Sequence, residues 1–263
     1  MCKEGKNNIA NKRFDILGVN VSVINMDDAL RVIETAIKNK AKAYISVCPV
    51  STIMSCQKNQ VALESVNSAT LVTPDGMPVV WLGKTKGHKN IKRVYGPDLM
   101  LKVCKVSSGK GYRNYFYGSR SSVLDRLSVN LKELFPDLNI AGKFSPSFDE
   151  AIVREDEVNI RMINASNSDI LWVGLGSPKQ DIWMRNHRDK LNVPVIIGVG
   201  AAFDFIAGTK KQAPAWMQKS GLEWFFRLVT EPKRLWKRYI FGNLKFLFLL
   251  LKESIKKRRV CER

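Results

Sequence analysis

Short apolar runs alternate with amphipathic segments along most of the chain. Apolar runs of strand length cover residues 14–21, 43–47, 71–73, 112–117, 138–141, 170–173 and 193–199. Helical patterns or helix start signals mark residues 25–37, 52–68, 78–82, 123–134, 149–167 and 178–190, and a further helix begins near residue 97. Because strands alternate with helices over residues 14–205, we expect an α/β fold. It would be a Rossmann-like, mostly parallel, doubly wound sheet.

Glycines follow three of the predicted strands, at residues 118, 174/176 and 198/200. The strand 170–173 runs through two of them into Ser177-Pro178, a capping hydroxyl followed by proline. A strand–glycine–helix junction of this kind presents free backbone N–H groups that favour phosphate. Lys179 and Gln180 follow in the first helical turn, where a lysine is favourable only beside an anion. An ordinary tight turn is the alternative for each junction, but one crevice lined by all three would suit a nucleotide.

Two aspartates follow strands in positions that suit a site. Asp75 lies in Thr-Pro-Asp-Gly-Met-Pro at the carboxyl end of the strand 71–73, where open α/β sheets bind their ligands. Pro-Asp-Gly is also simply a good turn sequence. Asp204 follows the glycines 198 and 200 and lies between two phenylalanines.

The last fifth of the chain differs in composition from the rest. From residue 209 onward, 15 Lys and Arg stand against 4 Asp and Glu, a net charge of +11 out of +19 for the whole chain. Aromatic and aliphatic residues fill the spaces between them. The basic residues 234, 238, 245, 252, 256 and 259 follow helical spacing, which predicts one basic helix face. We interpret this segment as an interfacial helix on an anionic membrane; a terminal helix packed on the core is the alternative.

Composition narrows the location and the chemistry. Five scattered cysteines without a Cys-x-x-Cys pair fit reduced thiols in the cytoplasm. We expect no signal peptide, because the N-terminal residues lack an apolar core, and no run reaches the length of a membrane span. The sequence has neither Gly-x-Gly-x-x-Gly after the first strand nor a P-loop motif, which argues against a dinucleotide dehydrogenase and a P-loop enzyme. It also lacks an Asp-x-Asp pair by which a metal ion could hold a sugar nucleotide. If the donor is a sugar nucleotide, positive side chains must therefore stabilise the leaving diphosphate, and the C-terminal arginines are available for this.

The chain resembles the WecG/TagA/CpsF glycosyltransferases (glycosyltransferase family 26). The resemblance covers nearly all of residues 14–240. It rests on residues 73–78 (TPDGMP), 93–99 (RVYGPDL), 174–181 (GLGSPKQD), 198–204 (GVGAAFD), and 221–224 (GLEW) through 231–234 (EPKR). Five blocks in this order are specific, whereas each alone is not.

The resemblance implies a metal-independent, inverting transferase without a cofactor. It would move a sugar from a UDP-sugar to a lipid-diphosphate-linked sugar, on undecaprenyl diphosphate, in surface-polysaccharide or teichoic-acid synthesis. It would work as a peripheral protein at the inner face of the cell membrane. N-acetylmannosamine, its uronic acid and glucose are the candidate donor sugars.

The family's functional residues match positions of this chain. The resemblance makes Asp75 the general base, for which burial or a nearby carboxylate should raise its pKa. Asp75, Arg93 and Arg227 are the expected catalytic residues. The expected donor-binding residues are Gly118, Ser119, Gly174, Gly176, Gln180, Gly200 and Asp204, the last near the uridine. The expected diphosphate- and acceptor-binding residues are Arg234, Lys237 and Arg238. Many relatives carry an Asn in the loop after the second strand, where this chain has Pro49 after Cys48, so an acceptor contact there is in doubt.

The expected organisation is a polar disordered tail (1–13), an α/β core (14–207) and a basic helical appendage (208–263) that completes the site. Two other functions fit parts of the sequence. A regulatory protein on the membrane would bind a nucleotide without turnover. A nucleic-acid binder would use the basic segment. Its aliphatic run at residues 247–251 has nothing to contact on a phosphate backbone, so we expect no nucleic-acid partner. A homo-oligomer stays open.

Overall fold

The computed structural model describes residues 12–146 and 152–261, and these contain eight strands and thirteen α-helices. The strands are β1 (Arg13–Ile16), β2 (Val19–Ser22), β3 (Ala43–Cys48), β4 (Leu71–Pro74), β5 (Arg113–Gly118), β6 (Asn139–Phe144), β7 (Ile170–Gly174) and β8 (Val195–Gly198). The first nine helices are α1 (Met26–Lys38), α2 (Val50–Cys56), α3 (Gln60–Asn67), α4 (Met77–Thr85), α5 (Gly96–Lys110), α6 (Ser121–Leu134), α7 (Ile152–Ala165), α8 (Lys179–His187) and α9 (Ala202–Ile206). The last four are α10 (Ala215–Lys219), α11 (Glu223–Thr230), α12 (Pro232–Trp236) and α13 (Gly242–Cys261), with a π-helical turn at Lys237–Phe241 between α12 and α13.

Six strands form one sheet in the order β4-β3-β8-β7-β5-β6, and every neighbouring pair is parallel. Side chains alternate between its two faces. On β3, for example, Ile45 and Val47 pack under α1, α5 and α9, while Tyr44 and Cys48 face the layer of α2, α3 and α8. Helices therefore cover both faces, and the predicted Rossmann-like, doubly wound α/β fold is confirmed.

The chain reverses direction across the sheet between β5 and β7. After β5 it continues to the edge strand β6, whereas after β7 it continues the other way to β8. Where the loops after two adjacent parallel strands run in opposite directions, a crevice forms between them at the carboxyl edge of the sheet. The glycines that end β5, β7 and β8 all lie at this edge.

Two local predictions are wrong. The segment 14–21 is a hairpin and not one strand, because Leu17 and Gly18 both take positive φ angles and turn β1 back onto β2. The segment 52–68 is two helices. Helix α2 ends at Cys56, and the Asn59 side chain caps the start of α3 by accepting the Ala62 N–H. Most of the predicted tail, up to residue 11, lies outside the described residues, as does the predicted helix start at 149; β1 begins within the tail's range, at Arg13.

The C-terminal segment, residues 208–261, packs part of its surface on the sheet layers. Leu235, Tyr239 and Phe246 are buried, and Phe246 joins the apolar layer that contains α2 and α4. Leu249 and Leu250 are half-buried against the same layer. The large apolar side chains that stay exposed between residues 236 and 255 are Trp236, Ile240, Phe241, Leu244, Leu247, Phe248, Leu251 and Ile255. Within the described part of the chain, every helix is too short or too polar to cross a membrane.

The ends of β5 and β7 approach each other closely because each strand ends in a glycine. Gly118 pairs with Gly174 across the ladder and has a φ of +111°. A Cβ atom on Gly118 would lie 2.7 Å from the Gly174 carbonyl carbon, which is backbone and cannot rotate away. Gly118 thus sets how closely the two strand ends approach.

We therefore expect Gly118→Ala to lower the free energy of unfolding by about 2 kcal/mol or more, since it combines a backbone clash with a strained φ. Gly109→Ala in α5 is the matched control. A Cβ there meets nothing within 4 Å, so it should stabilise the helix by about 0.5–1 kcal/mol. Urea denaturation of both variants measures the difference, and equal midpoints would contradict the assignment.

Candidate active site

A cavity of about 1080 Å³ opens at the carboxyl edge of the sheet. The segments that follow β3, β4, β5, β7 and β8 line one side of it, and residues of the C-terminal segment line the other. Eleven of the thirteen predicted site residues line it: Asp75, Arg93, Ser119, Gly174, Gly176, Gln180, Gly200, Asp204, Arg227, Arg234 and Arg238. The sequence positions that the motifs singled out are thus brought to one place.

Asp75 comes directly after β4, and its backbone N–H bonds the Cys48 carbonyl oxygen at the end of the neighbouring strand. Its side chain is only 14% exposed. Burial raises the pKa of Asp75 to about 7; Arg93 and Arg227 act against this rise, and Glu223 and Asp98 add to it. The carboxyl group can therefore both hold and release a proton near neutral pH, as the sequence analysis expected of a general base.

Arg93 lies between Asp75 and the C-terminal segment. One terminal nitrogen of its guanidinium pairs with Glu223, and the other donates to the Gln218 side chain at 3.2 Å. The guanidinium also stacks over the Tyr95 ring at 3.9 Å. Its Nε lies 3.7 Å from Asp75 Oδ1 and makes no hydrogen bond among the described residues.

The junction between β7 and α8 differs from its prediction, first of all at Ser177. The Ser177 hydroxyl does not cap the helix; it donates to Asp181 Oδ2 at 2.7 Å and accepts from Thr52 at 2.9 Å. Ser46 donates to the other oxygen of Asp181 at 2.6 Å. Burial raises the pKa of Asp181, and both hydroxyl donors oppose the rise. This buried network fixes Ser177 and Thr52 at the cavity wall.

Gln180 packs against the glycines of this edge. Its side-chain oxygen accepts the Gly176 N–H at 3.2 Å. A Cβ on Gly198 would lie 2.6 Å from the Met184 methyl group and 3.0 Å from the Gln180 side-chain nitrogen, so Gly198 leaves room for both side chains. The Gly176 N–H, which the prediction left free for a phosphate, is therefore already bonded. Lys179 is exposed and does not line the cavity.

Several cationic side chains lie in the part of the cavity formed by α9 and the C-terminal segment. Asp204 pairs with Lys210 at 3.0 Å. The guanidinium of Arg227 lies over the Phe205 ring at 5.4 Å, and its buried Nε has no hydrogen-bond partner among the described residues. Arg234 bonds Glu231 at 2.7 Å. A buried donor without a partner is costly, so Arg227 is ready for an anionic ligand.

A π-helical turn lies between the basic residues that reach the cavity and those that do not. Arg234, Arg238 and Tyr239 line the cavity, and after the turn the lining positions are Asn243, Phe246, Leu247 and Leu250. Lys245 and Lys252 are exposed and do not line the cavity. The single basic face that was predicted from residues 234–259 is therefore split.

Two predicted site residues lie elsewhere. Gly118 is buried between the strand ends and does not line the cavity. Lys237 is exposed, with its ammonium group 5.4 Å from the Trp236 ring, and does not line it either. Pro49 lines the cavity, whereas Cys48 is buried as the last residue of β3.

No role was predicted from the sequence for Glu223, Tyr95, Gln218 or Asp181, although three of them fall within the quoted motifs. One signal for Glu223 was present: it is one of four acids among fifteen basic residues after position 208. An acid in such surroundings favours a cationic partner. No sequence signal connects it to Arg93, because 130 residues separate the two.

The arrangement suits a reaction in which one group is deprotonated and another leaves as an anion. Asp75 supplies a base with a pKa near neutrality, and Arg227, Arg234 and Arg238 supply positive charge in the same cavity. Within the described ranges, no three His, Cys, Asp or Glu side chains come together as metal ligands.

Comparison with known proteins places the chain among sugar transferases. Residues 14–260 match the Glycosyl transferase WecG/TagA/CpsF family. The chain is 29% identical over 222 residues to the N-acetylglucosaminyldiphosphoundecaprenol N-acetyl-beta-D-mannosaminyltransferase of Bacillus subtilis (strain 168), covering 84% of each chain. Proteins of the same name are 31% identical over 175 residues in Bacillus spizizenii (strain W23), 66% of each chain, and 26% identical over 261 residues in Staphylococcus aureus (strain NCTC 8325), 98% of each chain.

The buried carboxyl group of Asp75 should reduce the stability of the fold. Its folded-state pKa of about 7 lies above the ordinary value of 3.8, so the folded protein holds this proton more tightly than the unfolded chain. Stability is therefore lost as the pH rises from about 4 to about 7. We expect Asp75→Asn, which cannot ionise, to be more stable than the wild type at pH 8, by on the order of 2 kcal/mol, and equally stable at pH 4. Denaturant titrations at both pH values measure this; a variant less stable at pH 8 would contradict it.

Proposed function

The chain belongs to the WecG/TagA/CpsF family of glycosyltransferases, and we propose that it transfers a sugar from a UDP-sugar to a lipid-diphosphate-linked sugar. The observation that supports this most is that Asp75, a buried carboxyl group whose pKa is raised to about 7, lies in the same cavity as Arg227, Arg234 and Arg238 of the C-terminal segment. The relatives' names specify an undecaprenyl-diphosphate acceptor that carries N-acetylglucosamine, and N-acetylmannosamine as the sugar moved. We propose the same acceptor class and N-acetylmannosamine as the donor sugar.

Asp75 acts as the general base in this proposal. It takes the proton of the acceptor hydroxyl, whose oxygen then attacks the anomeric carbon of the donor sugar. The bond from that carbon to the diphosphate breaks on the opposite side, so a single displacement inverts the anomeric configuration. The proton remains on Asp75 and leaves to solvent after the product departs.

The departing UDP carries the negative charge that the arginines stabilise. Arg227 has an unpartnered Nε, and Arg234 and Arg238 line the same cavity, so they are the groups we assign to the diphosphate. The edge formed by Ser119, Gly174, Gly176, Gln180 and Gly200 would hold the donor, with Asp204 near the uridine. We propose that these cations take the place of a metal ion.

The lipid part of the acceptor would approach along α13. Beyond Arg238 the cavity lining becomes apolar, with Phe246, Leu247 and Leu250 on α13 and Met77 and Trp81 on α4. On the outer side of α13, the exposed stripe of Leu244, Phe248 and Leu251 lies beside Lys245 and Lys252. An apolar stripe bordered by lysines is typical of a helix at an anionic membrane surface. We therefore propose a peripheral protein at the inner face of the membrane.

The general-base role predicts the effect of Asp75→Asn. We expect kcat to fall on the order of 100-fold or more, since proton transfer is lost, while binding of UDP is unchanged. In the wild type, kcat should rise with pH through about 7 and level off above it, because the carboxyl group must be ionised. UDP release with a lipid-diphosphate-N-acetylglucosamine acceptor measures both, in buffer with excess EDTA.

Asp137→Asn, at an exposed position, is the matched control and should leave kcat unchanged. Turnover by Asp75→Asn at the wild-type rate would overturn the base assignment. A loss of wild-type activity in EDTA that a divalent ion restores would overturn the metal-independent mechanism.

The exposed stripe predicts membrane binding. Replacing Leu244, Phe248 and Leu251 together by glutamate should abolish co-sedimentation with vesicles that contain phosphatidylglycerol, because it removes apolar area and adds like charge. Val61→Glu with Val129→Glu, at exposed apolar positions of α3 and α6, is the control and should bind as the wild type does. Unchanged vesicle binding by the triple variant would contradict the proposed surface.

A further inference from the structure

Glu223 is an acid of the C-terminal segment that lies inside the candidate site. It is the first residue of α11, and its side chain is 15% exposed. One carboxylate oxygen pairs with the Arg93 guanidinium, and the other accepts the Tyr95 hydroxyl at 3.0 Å. Nothing in the proposed reaction uses this carboxylate, yet it is buried beside the proposed base.

Arg93 is shared unequally between two carboxylates. Its terminal nitrogens are taken by Glu223 and Gln218, both from the C-terminal segment. Asp75 faces only the Nε of Arg93, at 3.7 Å, which is too long for a hydrogen bond. The terminal nitrogens of the guanidinium are thus held by the C-terminal segment, and none of the described residues donates a side-chain hydrogen bond to the carboxylate of Asp75.

Without Glu223, the same guanidinium would be within easy reach of Asp75. A movement of less than 1 Å would bring Nε to hydrogen-bond distance from Oδ1. A charge-assisted hydrogen bond stabilises the ionised carboxylate and makes it a weaker base. It would also occupy the oxygen that must accept the proton of the acceptor hydroxyl.

We propose that Glu223 is a positioning residue that holds Arg93 away from Asp75 and so keeps Asp75 able to act as a base. This inference rests on the proposed function, in which Asp75 deprotonates the acceptor. Because Glu223 belongs to the C-terminal segment and Asp75 to the end of β4, the base is competent only while the segment is packed on the sheet. The appendage therefore contributes to the base itself, in addition to its arginines.

Other charged and titratable groups near Asp75 bear on the direction of the effect. They are Arg93 from the loop before α5, Tyr95 and Asp98 at the start of α5, Glu223 and Arg227 from α11, and Cys48 from β3. Arg93 and Arg227 lower the pKa of Asp75, whereas burial, Glu223 and Asp98 raise it. Removing the charge of Glu223 takes away one group that raises the pKa of Asp75. It also lets Arg93 move closer to Asp75 and lower that pKa further. Both changes move the pKa of Asp75 downward.

The test is the pH dependence of kcat in Glu223→Gln. We expect the acid limb of the profile, the pH range over which kcat rises, to move about one pH unit lower, because the carboxyl group of Asp75 then ionises more easily. We also expect kcat on the plateau to fall about tenfold or more, since the base is weaker and paired. A purely structural role for Glu223 would lower the amount of active enzyme without moving the limb.

Glu64→Gln is the matched control, because Glu64 also pairs with an arginine, Arg185, but at an exposed site. It should keep the wild-type kcat and pH profile. Tyr95→Phe serves as a second variant if Glu223→Gln does not fold, as judged by circular dichroism. It removes one hydrogen bond to Glu223 and keeps the ring under Arg93, so a smaller shift in the same direction is expected.

An acid limb at the wild-type pH in Glu223→Gln overturns the proposal, whatever its kcat, and so does an unshifted limb in Tyr95→Phe if the first variant fails to fold. Asp75→Asn is assayed in parallel to separate the two levels of inference. If Asp75→Asn keeps its turnover, the base assignment fails and this proposal fails with it. If Asp75→Asn is inactive while Glu223→Gln has the wild-type profile, only the positioning role is wrong.

Discussion

The base that we propose depends on one buried carboxyl group, that of Asp75, being only weakly paired. Burial alone makes the charged form of Asp75 costly, and a full ion pair with Arg93 would reverse that effect. In the structure Asp75 is buried, and Arg93 makes its hydrogen bonds to Glu223 and Gln218 instead of to Asp75. The pKa near neutrality is thus a property of the whole cluster and not of the aspartate or of its turn alone.

The parallel sheet explains why so many separate motifs meet. The carboxyl ends of its strands lie at one edge, so the segments after β3, β4, β5, β7 and β8 reach one cavity although they are spread over 150 residues of sequence. Small residues permit the close approach: Gly118 touches the Gly174 backbone, and Gly198 leaves room for Gln180. The C-terminal segment then closes the open side with its arginines and Glu223.

The fold and the positions of most site residues could be predicted from the sequence, because both depend on local sequence patterns. The contacts between those residues could not. Strand–helix alternation identified the doubly wound sheet, and Asp75 could be found because a strand end and a turn are local features. The hairpin at Leu17-Gly18 and the break before Asn59 were missed, since single turn residues overrode a longer apolar pattern. The pairing of Arg93 with Glu223 could not be predicted, because it exists only after the segment packs on the sheet.

The π-helical turn at Lys237–Phe241 carries a consequence for how this segment can vary. It lies between two stretches of helix, one that carries Arg234 and Arg238 at the cavity and one that carries the apolar stripe that we propose faces lipid. Either stretch can change its composition independently, provided that its own environment is still matched. The number of residues in the turn cannot change in the same way, because deleting one would rotate the whole of α13 by about 100° relative to the arginines. Length at this point is therefore under tighter constraint than residue identity.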